Sequence, residues 1–337
     1  MKVAVIGAGS WGTALSQVLA GNGHDVALWA RKLEVVRGIN EQHHNPRYLI
    51  DAQLSPRLRA TLSYAEALDG ADAVVVVTPS HLVRGVAREL AKPAYALGGD
   101  VPILICSKGV EEETGALPIE TMAEEAGGAR RIAVLSGPNH AEEVIKGQPS
   151  ATVIASSSEE TAVFFRDLFA TDTFRTYTSD DPVGVELCAA FKNVIAIAVG
   201  ISYGLGFGDN TASLLITRGL AEMSRMVVAA GGQALTCMGL AGAGDMVVTC
   251  MSKHSRNRRF GEQYVARGRT VDDFAAETHM VVEGALACKT LEVLARRYGV
   301  ELPITDTVRD IVWNGADVKT AAKLLSDRPL TTEFYGR

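Results

Sequence analysis

The 337-residue sequence predicts an α/β protein in which a doubly wound, mostly parallel sheet is followed by an all-α domain. Three observations carry this prediction. Short apolar runs alternate with helical patterns in the first half, a glycine-rich turn directly follows the first run, and the chain after residue 180 is almost entirely helical. At roughly 150 residues per domain the length favours two domains. We place them at residues 1–180 and 181–337.

The predicted strands are apolar runs rich in β-branched residues, at residues 3–6, 26–29, 74–78, 103–106, 132–135, 152–155 and 174–177. Their polar and apolar residues do not alternate, as expected for parallel strands that helices cover on both faces. Helical patterns stand between them, at residues 13–20, 82–90 and 118–126. Repetition of strand, helix and strand predicts a doubly wound sheet.

The second half begins at Asp181-Pro182, an acid and a proline suited to the N-cap and the first position of a helix. Helices are predicted at residues 183–201, 211–230, 283–298, 305–313 and 318–325. The first of these is apolar nearly all round, which predicts that it is buried.

Composition excludes several classes of protein. Lysine and arginine number 33 against 39 aspartates and glutamates, a formal net charge of −6. This balance argues against a protein that binds nucleic acid or anionic membranes. No run of 18 apolar residues indicates a transmembrane helix. The five cysteines are scattered without a CxxC pair, so the sequence predicts neither a metal site nor a disulfide framework, and free thiols in a reducing cytoplasm are expected.

The turn Gly7-Ala8-Gly9-Ser10-Trp11-Gly12 fits the pattern G-x-G-x-x-G. It follows a predicted strand and opens a predicted helix, which is the context that the dinucleotide-binding fingerprint requires. In that reading Gly7 permits the tight turn, Gly9 lets the backbone approach a pyrophosphate, and Gly12 lets helix and strand pack closely. We therefore expect a Rossmann-type domain that binds NAD(H) or NADP(H). The alternative is a glycine-rich turn that serves packing alone.

The residues after the second strand bear on the choice of cofactor. An acid there would bind the 2′-hydroxyl of NAD, but Asp25 precedes the strand, at the wrong end. Arg31 and Lys32 follow the strand, and two cations suit the 2′-phosphate of NADP(H). NADP(H) should therefore be accepted and could be preferred. The alternative is that both cations belong to a solvated helix start.

The loops after the later strands should face the ligand, because ligands of doubly wound sheets lie at the carboxyl ends of the strands. These loops are Thr78-Pro79-Ser80, Cys106-Ser107-Lys108-Gly109 and Ser136-Gly137-Pro138-Asn139. Lys108 could hold a phosphate or an oxyanion there, although a lysine in a loop is usually only solvated.

Lys192 stands inside the apolar helix of the second half. Its neighbours one turn away are Cys188, Ala189, Ile195 and Ala196, and none of them can pair with a cation. The lysine must either extend to solvent or find a partner from elsewhere in the fold. Burial would favour proton exchange by disfavouring the ammonium form, which suits a general acid/base. The sequence equally allows a structural lysine that extends its ammonium group to solvent.

A second polar cluster follows in Gly242-Ala243-Gly244-Asp245 and Ser255-Arg256-Asn257-Arg258-Arg259. Arginine offers paired donors that match a phosphate, and serine and asparagine can bind the remaining oxygens. A small phosphorylated substrate fits this cluster, although a solvated basic helix start is possible. Glu283 can be read simply as an acid in the first turn of a helix.

Together these motifs resemble the bacterial-type NAD(P)-dependent glycerol-3-phosphate dehydrogenases over essentially the whole length. The spacing of the Lys-Asn pair, the Gly-Asp turn and the Ser-Arg-Asn cluster makes the resemblance specific. The matching segments lie at residues 5–14, 44–49 (His-Asn-Pro-Arg-Tyr-Leu), 107–109, 135–138, 191–193, 239–245, 254–257, 282–284 and 303–304.

The resemblance implies that dihydroxyacetone phosphate and NAD(P)H interconvert with sn-glycerol 3-phosphate and NAD(P)⁺, in the service of phospholipid synthesis. It implies that Lys192 is the general acid/base. The cofactor contacts that the glycine pattern and the resemblance imply are Gly7, Gly9, Ser10, Trp11, Gly12, Arg31, Lys32, Lys108, Ala141, Arg256, Val281 and Glu283. The implied substrate contacts are Lys108, Gly137, Asn139, Lys192, Asp245, Ser255, Arg256 and Asn257.

One position departs from the family pattern: Asn139 stands where serine or threonine is frequent, so that contact is open. Two other readings also remain. One is a two-domain dehydrogenase of similar build that acts on a hydroxy acid or a ketopantoate-like substrate. The other is a nucleotide-binding sensor without catalysis, against which Lys192, Asn193 and Asp245 together argue. A homodimer is expected from base rates alone.

Overall fold

The computed structural model describes residues 1–95, 97–253, 255–278, 281–327, 329 and 332–333. The chain divides into two compact units. The N-terminal unit comprises Met1–Lys108 and Leu117–Pro182, and the C-terminal unit comprises Gly109–Ala116 and Val183–Arg337. The division after Pro182 lies two residues from the predicted domain boundary. Residues 109–116, which the sequence places in the first domain, group with the C-terminal unit.

An eight-stranded sheet forms the centre of the N-terminal unit, in the order β3-β2-β1-β4-β5-β6-β7-β8. Neighbouring strands are parallel except β6 and β7, which are antiparallel. The predicted doubly wound, mostly parallel sheet is therefore confirmed. The strands are β1 (Lys2–Ile6), β2 (Asp25–Trp29), β3 (Leu58–Thr61), β4 (Ala73–Val76), β5 (Ile103–Ile105), β6 (Ile132–Ser136), β7 (Ser150–Ala155) and β8 (Phe174–Ser179).

The seven predicted strands are all present, with ends shifted by at most two residues. The edge strand β3 was not predicted, because Leu58-Arg59-Ala60-Thr61 is short and alternates apolar with polar residues. The central strands β1 and β4 are buried on both faces, as their unbroken apolar runs indicate. The helices of this unit are α1 (Ser10–Gly21), α2 (Leu33–Gln42), α3 (Tyr64–Leu68), α4 (Val83–Leu90), α5 (Pro118–Ala126), α6 (Ala141–Val144) and α7 (Glu159–Phe169).

The described part of the C-terminal unit contains helices and no strand, as predicted. These helices are α8 (Pro182–Gly204), α9 (Asp209–Ala229), α10 (Asp245–Met251), α11 (Arg256–Gln263), α12 (Val271–Thr278), α13 (Glu283–Tyr298), α14 (Pro303–Trp313) and α15 (Val318–Ser326). Helices α10 to α12 were missed, because their 7 or 8 residues are too short for a clear period. A π-helical turn, Leu240–Gly244, leads into α10.

Helix α8 is the core of the C-terminal unit and is buried along nearly its whole length. Among the described helices it alone is long and apolar enough to cross a membrane, and its most apolar window is entirely buried. A helix that is buried to this extent is a core helix of its unit.

Two glycines set how closely α8 and α11 approach. A Cβ on Gly200 would lie 2.1 Å from the carbonyl oxygen of Arg258, and one on Gly261 would lie 2.3 Å from that of Ile197. Neither glycine can therefore carry a side chain without separating the helices. This close crossing packs α11 against the C-terminal half of α8.

Candidate functional site

The glycine turn of the N-terminal unit has the geometry that its sequence predicts. Gly7 adopts φ +120°, a conformation that favours glycine, and a Cβ there would lie 2.6 Å from the carbonyl oxygen of Val77. A Cβ on Gly12 would lie 1.8 Å from the carbonyl oxygen of Gly7. Gly7 therefore allows the turn beside β4, and Gly12 allows α1 to pack against the turn.

Gly9 differs from the other two glycines because a Cβ on it would meet nothing within 4 Å. It is the N-cap residue of α1, and no side chain caps this helix end. The first turn of α1 carries no acidic residue either. A helix N-terminus left open in this way presents backbone N–H groups and a partial positive charge, which suits an anion such as a pyrophosphate.

Buried polar atoms without hydrogen-bond partners among the described residues lie near the same end of the sheet. They include the indole Nε1 of Trp11, Oγ1 of Thr78, Oγ of Ser136 and Oδ1 of Asn139. Trp11 is in the first turn of α1, and the other three follow or end β4 and β6. Buried polar groups are rarely left unsatisfied. The residues at this edge therefore fit a polar ligand such as a nicotinamide dinucleotide.

Arg31 and Lys32 lie where the sequence places them. The register pairs Ile6 of β1 with Trp29 of β2, so both cations extend from the strand end that also carries the glycine turn. Both are exposed, and Lys32 is the N-cap residue of α2. Asp25 begins β2 at the opposite end and forms an ion pair with Arg57 at 3.2 Å. The first acid after β2 is Glu34, in the first turn of α2, and its carboxylate pairs with Arg47 at 2.6 Å.

Three further predicted contacts are on loops of the N-terminal unit. Lys108 follows β5, next to Ser107, whose hydroxyl donates to the carbonyl oxygen of Thr78 at 2.5 Å. Gly137 is buried, and a Cβ there would lie 2.9 Å from the carbonyl oxygen of Ala151 in β7, so packing alone requires this glycine. Ala141 is the buried first residue of α6.

Asn139 keeps one side of its amide occupied. Its Nδ2 donates to the carbonyl oxygen of Ala151 at 2.9 Å, while its Oδ1 has no partner in the described chain. The hydrogen bond to β7 orients the amide, and the acceptor left over could receive a donor from a ligand. Whether a substrate uses it stays a prediction.

In the C-terminal unit Lys192 finds its partner far along the chain. Its ammonium forms an ion pair with the carboxylate of Asp245, at the start of α10. Lys192 is 8% exposed and Asp245 is 1% exposed. The Thr249 hydroxyl lies 2.6 Å from the carbonyl oxygen of Asp245 and 3.3 Å from its Oδ1. Lys192 therefore does not extend to solvent; it is held inside the protein by a carboxylate.

A network of amides surrounds the next residue of α8. Asn257 Nδ2 donates to Oδ1 of Asn193 at 3.0 Å, and Asn193 Nδ2 donates to the Glu283 carboxylate at 3.3 Å. The backbone N–H of Gly284 donates to Oδ1 of Asn257 at 2.9 Å. These bonds tie α8, α11 and the start of α13 together beside Lys192.

The predicted arginine cluster is divided by its contacts. Arg256 is exposed, with its guanidinium 3.5 Å from the Glu283 carboxylate. Arg258 instead lies over the Tyr203 ring, 4.7 Å from its centroid, and donates to the carbonyl oxygen of Met251. Arg259 is exposed and donates to Gln263 at 3.2 Å. Arg256 is thus the arginine of this cluster that shares a network with Lys192's neighbours.

The other predicted residues of this unit are Ser255, Glu283 and Val281. Ser255 is buried, and its hydroxyl caps α11 by accepting from the N–H of Arg258 at 3.3 Å. Glu283 is the first residue of α13, as the helix reading of this acid predicts, and its carboxylate also takes part in the network. Val281 is exposed and lies two residues before α13. His254, part of a matching motif, lies outside the described residues.

The chemistry beside Lys192 is that of an amine and a carboxylate. The nearby thiol of Cys250 is buried, and burial raises its pKa to about 12, so it remains protonated at neutral pH. In the described part of the chain no group of three or more His, Cys, Asp or Glu side chains could hold a metal ion.

Sequence reasoning did not assign two residues that the structure places here. Thr249 is four residues after Asp245 on the same helix, a spacing that brings side chains together. The four-residue spacing from Asp245 could have indicated Thr249, but the short helix α10 was not predicted. Asn193 was seen as a polar residue in an apolar helix, yet its partners Asn257 and Glu283 are 64 and 90 residues away.

The chain matches two family models, described as the N-terminus and the C-terminus of NAD-dependent glycerol-3-phosphate dehydrogenase, over residues 2–162 and 181–323. A glycerol-3-phosphate dehydrogenase [NAD(P)+] of Nitratidesulfovibrio vulgaris is 46% identical over 99% of this chain and 100% of its own length. The protein of the same description from Enterococcus faecalis is 45% identical over 99% of this chain and 98% of its own length.

Among solved structures, the glycerol-3-phosphate dehydrogenase of Coxiella burnetii is similar with a TM-score of 0.91 and 35% identity, over 97% of this chain and 99% of that one. Identity at this level over full length exceeds what a shared fold alone requires. The chain therefore belongs to the NAD-dependent glycerol-3-phosphate dehydrogenase family.

Proposed function

We propose that this protein reduces dihydroxyacetone phosphate to sn-glycerol 3-phosphate with NADPH or NADH, and catalyses the reverse reaction. The observation that carries the proposal is the buried Lys192–Asp245 pair, in a chain of this family. A lysine held inside an apolar helix by a carboxylate is placed for proton transfer rather than for solubility.

Bound NAD(P)H supplies the hydride that adds to the substrate's carbonyl carbon. Lys192 then has two tasks at the carbonyl oxygen, where negative charge develops. Its ammonium stabilises that charge and donates the proton that completes the alcohol. In the reverse direction the neutral amine of Lys192 takes the proton of the hydroxyl group.

Asp245 holds the ammonium and so keeps Lys192 from turning toward solvent. The Thr249 hydroxyl, in contact with the same carboxylate, limits the rotation of Asp245. When Lys192 has given up its proton, the carboxylate remains next to a neutral amine and favours its reprotonation. These two residues therefore position and recharge the proton donor.

The N-terminal unit would hold the cofactor. Gly9 and the uncapped start of α1 would receive the pyrophosphate, with Gly7, Gly12, Ser10 and Trp11 forming the turn around it. Arg31 and Lys32, at the end of β2, would receive the 2′-phosphate of NADP(H). The two exposed cations directly after β2 support acceptance of NADP(H) beside NAD(H).

Further contacts follow from the resemblance and stay predictions. Arg256 is proposed to bind the substrate's phosphate and to reach the cofactor, since its exposed guanidinium can bind two oxygens at once. Substrate contacts are proposed for Gly137, Asn139, Ser255 and Asn257. Lys108 is proposed to contact both substrate and cofactor, and Ala141, Val281 and Glu283 to contact the cofactor.

The proposal is tested by mixing the protein with NADPH and dihydroxyacetone phosphate and following the absorbance of the reduced nicotinamide. We expect oxidation that depends on both compounds. Turnover on a hydroxy acid or keto acid with none on dihydroxyacetone phosphate would favour the alternative dehydrogenase. Tight NADPH binding without turnover on any of these compounds would favour the non-catalytic sensor.

The cellular setting is also proposed. Glycerol 3-phosphate made here would supply phospholipid synthesis, and we expect a cytoplasmic protein that binds no nucleic acid. We expect a homodimer, which sedimentation of the purified protein would test. No metal ion is expected to take part.

A further inference from the structure

Asn45 lies in the His44-Asn45-Pro46-Arg47 motif, to which the proposed function assigns no role. The residue is in the loop between α2 and β3 and is 1% exposed. Its Nδ2 donates to the carbonyl oxygen of Ala8 at 3.1 Å and to Oγ1 of Thr13 at 2.9 Å. Ala8 is in the glycine turn, and Thr13 follows Gly12 in α1. A side chain 32 to 37 residues away in the sequence thus holds both sides of the turn.

The other end of the amide holds the loop itself. Oδ1 of Asn45 accepts from the backbone N–H groups of Arg47 at 3.1 Å and Tyr48 at 3.2 Å. The amide therefore uses both donors and both lone pairs. A fully satisfied buried amide costs little to bury and is costly to break. Asn45 is consequently a fixed link between the loop and the glycine turn.

The loop is firmly attached to α2 on its own account. A Cβ on Gly38 would lie 2.7 Å from Cδ of Pro46, so only glycine allows the loop to pack on the helix. The loop is closed by the N–H of Leu54, which donates to the carbonyl oxygen of His43 at 2.7 Å. These contacts give Asn45 a rigid base, so the position of its amide is set by the fold and not by the glycine turn.

The bond to Ala8 determines where the next amide points. The described peptide bonds include none that is cis. In a trans peptide the C=O and the following N–H point in opposite directions. Because the Ala8 carbonyl points toward Asn45, the N–H of Gly9 points away from it. That N–H donates to no acceptor in the described chain, and the side of Gly9 that a Cβ would occupy is open.

We propose that Asn45 is a positioning residue for cofactor binding, which orients the Ala8–Gly9 peptide so that the N–H of Gly9 faces the pyrophosphate. The inference rests on the proposed function, because it takes the ligand to be a nicotinamide dinucleotide. The effect concerns the pyrophosphate alone. Asn45 should therefore matter equally for NADH and NADPH, and equally for ADP-ribose, which has the pyrophosphate but no nicotinamide.

The test compares three variants of the full-length protein. Asn45→Ala removes both bonds to the turn, and Thr13→Val removes one of them without changing the side chain's size. Asn40→Ala is the matched control, because Asn40 is an amide of the same unit that exchanges two hydrogen bonds with Ala60 in β3, each at 2.8 Å. Dissociation constants for NADPH, NADH and ADP-ribose are measured by titration calorimetry, together with kcat, the KM for dihydroxyacetone phosphate and Tm.

We expect Asn45→Ala to weaken binding of all three ligands by about tenfold or more, and Thr13→Val to weaken it severalfold. At saturating NADPH, kcat and the KM for dihydroxyacetone phosphate should change by less than about threefold. Asn40→Ala should lower Tm but leave the three dissociation constants near those of the parent protein. A merely structural role would not weaken cofactor binding while leaving turnover nearly unchanged.

Failure of the inference and failure of the proposed function are separable. If the parent protein binds none of the three ligands, the proposed function is wrong. If the parent protein binds them and the Asn45 variant binds them equally well, Asn45 has no positioning role. Equal weakening by Asn40→Ala would also overturn the role, since it would reflect general loosening. Should Asn45→Ala not fold, unchanged affinities in Thr13→Val decide against the inference, and a severalfold loss there supports it.

Discussion

The N-terminal unit has backbone donors, neutral polar atoms and exposed cations at one end of its sheet, whereas the C-terminal unit holds charged side chains buried among helices. No side chain caps the start of α1, and polar atoms of Trp11 and Thr78 have no hydrogen-bond partner among the described residues. Lys192 and Asp245 are already paired with each other. Backbone N–H groups and polar atoms of this kind suit a ligand that brings its own charge. A buried charge must be compensated before any ligand arrives.

This difference predicts how each unit responds to substitution. In the C-terminal unit, removing one charge should alter both catalysis and stability, because the remaining charge loses its partner. In the N-terminal unit, removing a polar group at the edge should alter ligand affinity alone. The experiments below test that distinction, beginning with the largest expected effect.

The largest effect is expected for Lys192→Met. Loss of a general acid/base lowers kcat by about 10²–10⁴-fold, or roughly 3–5 kcal/mol. The variant should also be less stable, because it leaves the Asp245 carboxylate buried without its cation. Turnover is measured by NADPH oxidation, stability by urea unfolding and NADPH affinity by calorimetry, and affinity should be retained.

A second variant separates the two consequences of losing Lys192. Lys192→Met combined with Asp245→Asn removes both charges, so it should recover much of the stability while turnover stays low. Near-normal turnover in either folded protein would make Lys192 a structural lysine and leave the proton donor unidentified.

Glu222 offers a carboxylate of the same unit in a different environment. It is 2% exposed and accepts hydrogen bonds from the backbone N–H groups of Ile304 and Thr305 at the start of α14. Burial raises the pKa of Glu222 from 4.5 to about 7. Its neighbours in these bonds are neutral, whereas Asp245 has a cation beside it.

The raised pKa predicts a pH-dependent stability with a definite sign. The folded protein binds the Glu222 proton more tightly than the unfolded chain, so stability should fall as pH rises from about 4.5 to about 7. At about 1.4 kcal/mol for each pH unit, the loss approaches about 3 kcal/mol. Urea unfolding at pH 5 and pH 8 should show this loss in the parent protein and not in Glu222→Gln. Parallel stability curves for the two proteins would contradict the effect.

Arg256 tests whether an exposed charge of the C-terminal unit acts on the ligand instead. Arg256→Ala should raise the KM for dihydroxyacetone phosphate roughly ten- to a hundredfold, because a hydrogen bond to a charged group contributes about 1.5–3 kcal/mol. Turnover of unphosphorylated dihydroxyacetone, a poor substrate, should hardly change. Arg259→Ala is the control, because Arg259 is exposed on the same helix and its side chain donates to Gln263 and not to the Asn193–Glu283 network. A larger effect of Arg259→Ala would show that Arg256 is not the arginine that binds the phosphate.

The smallest effect is expected for Arg31→Ala in the N-terminal unit. If Arg31 binds the 2′-phosphate, the KM for NADPH should rise roughly tenfold while that for NADH stays nearly constant. Stability should not change, because Arg31 is exposed. Kinetics with both cofactors, on the same preparation, give the comparison directly. Equal losses for NADPH and NADH would refute the 2′-phosphate role.

The sequence alone determined the alternation of strands and helices, the glycine turn and the apolar character of α8. Each of these is a local pattern, because apolar runs, turn glycines and helix caps act on residues within a few positions. The same patterns marked Lys192 as anomalous, since no neighbour on its own helix could pair with it. They did not show which residue elsewhere would do so.

The partners of these polar residues depend on tertiary structure. Asp245 meets Lys192 across 53 residues, Asn257 meets Asn193 across 64, and Asn45 reaches the glycine turn across 37. Such contacts depend on how closely elements pack, which at α8 and α11 is set by Gly200 and Gly261. From the sequence alone, one can say only that a charged or amide side chain will require a partner if it is buried. Burying it without one costs free energy, and the packing of elements distant in the sequence supplies the partner.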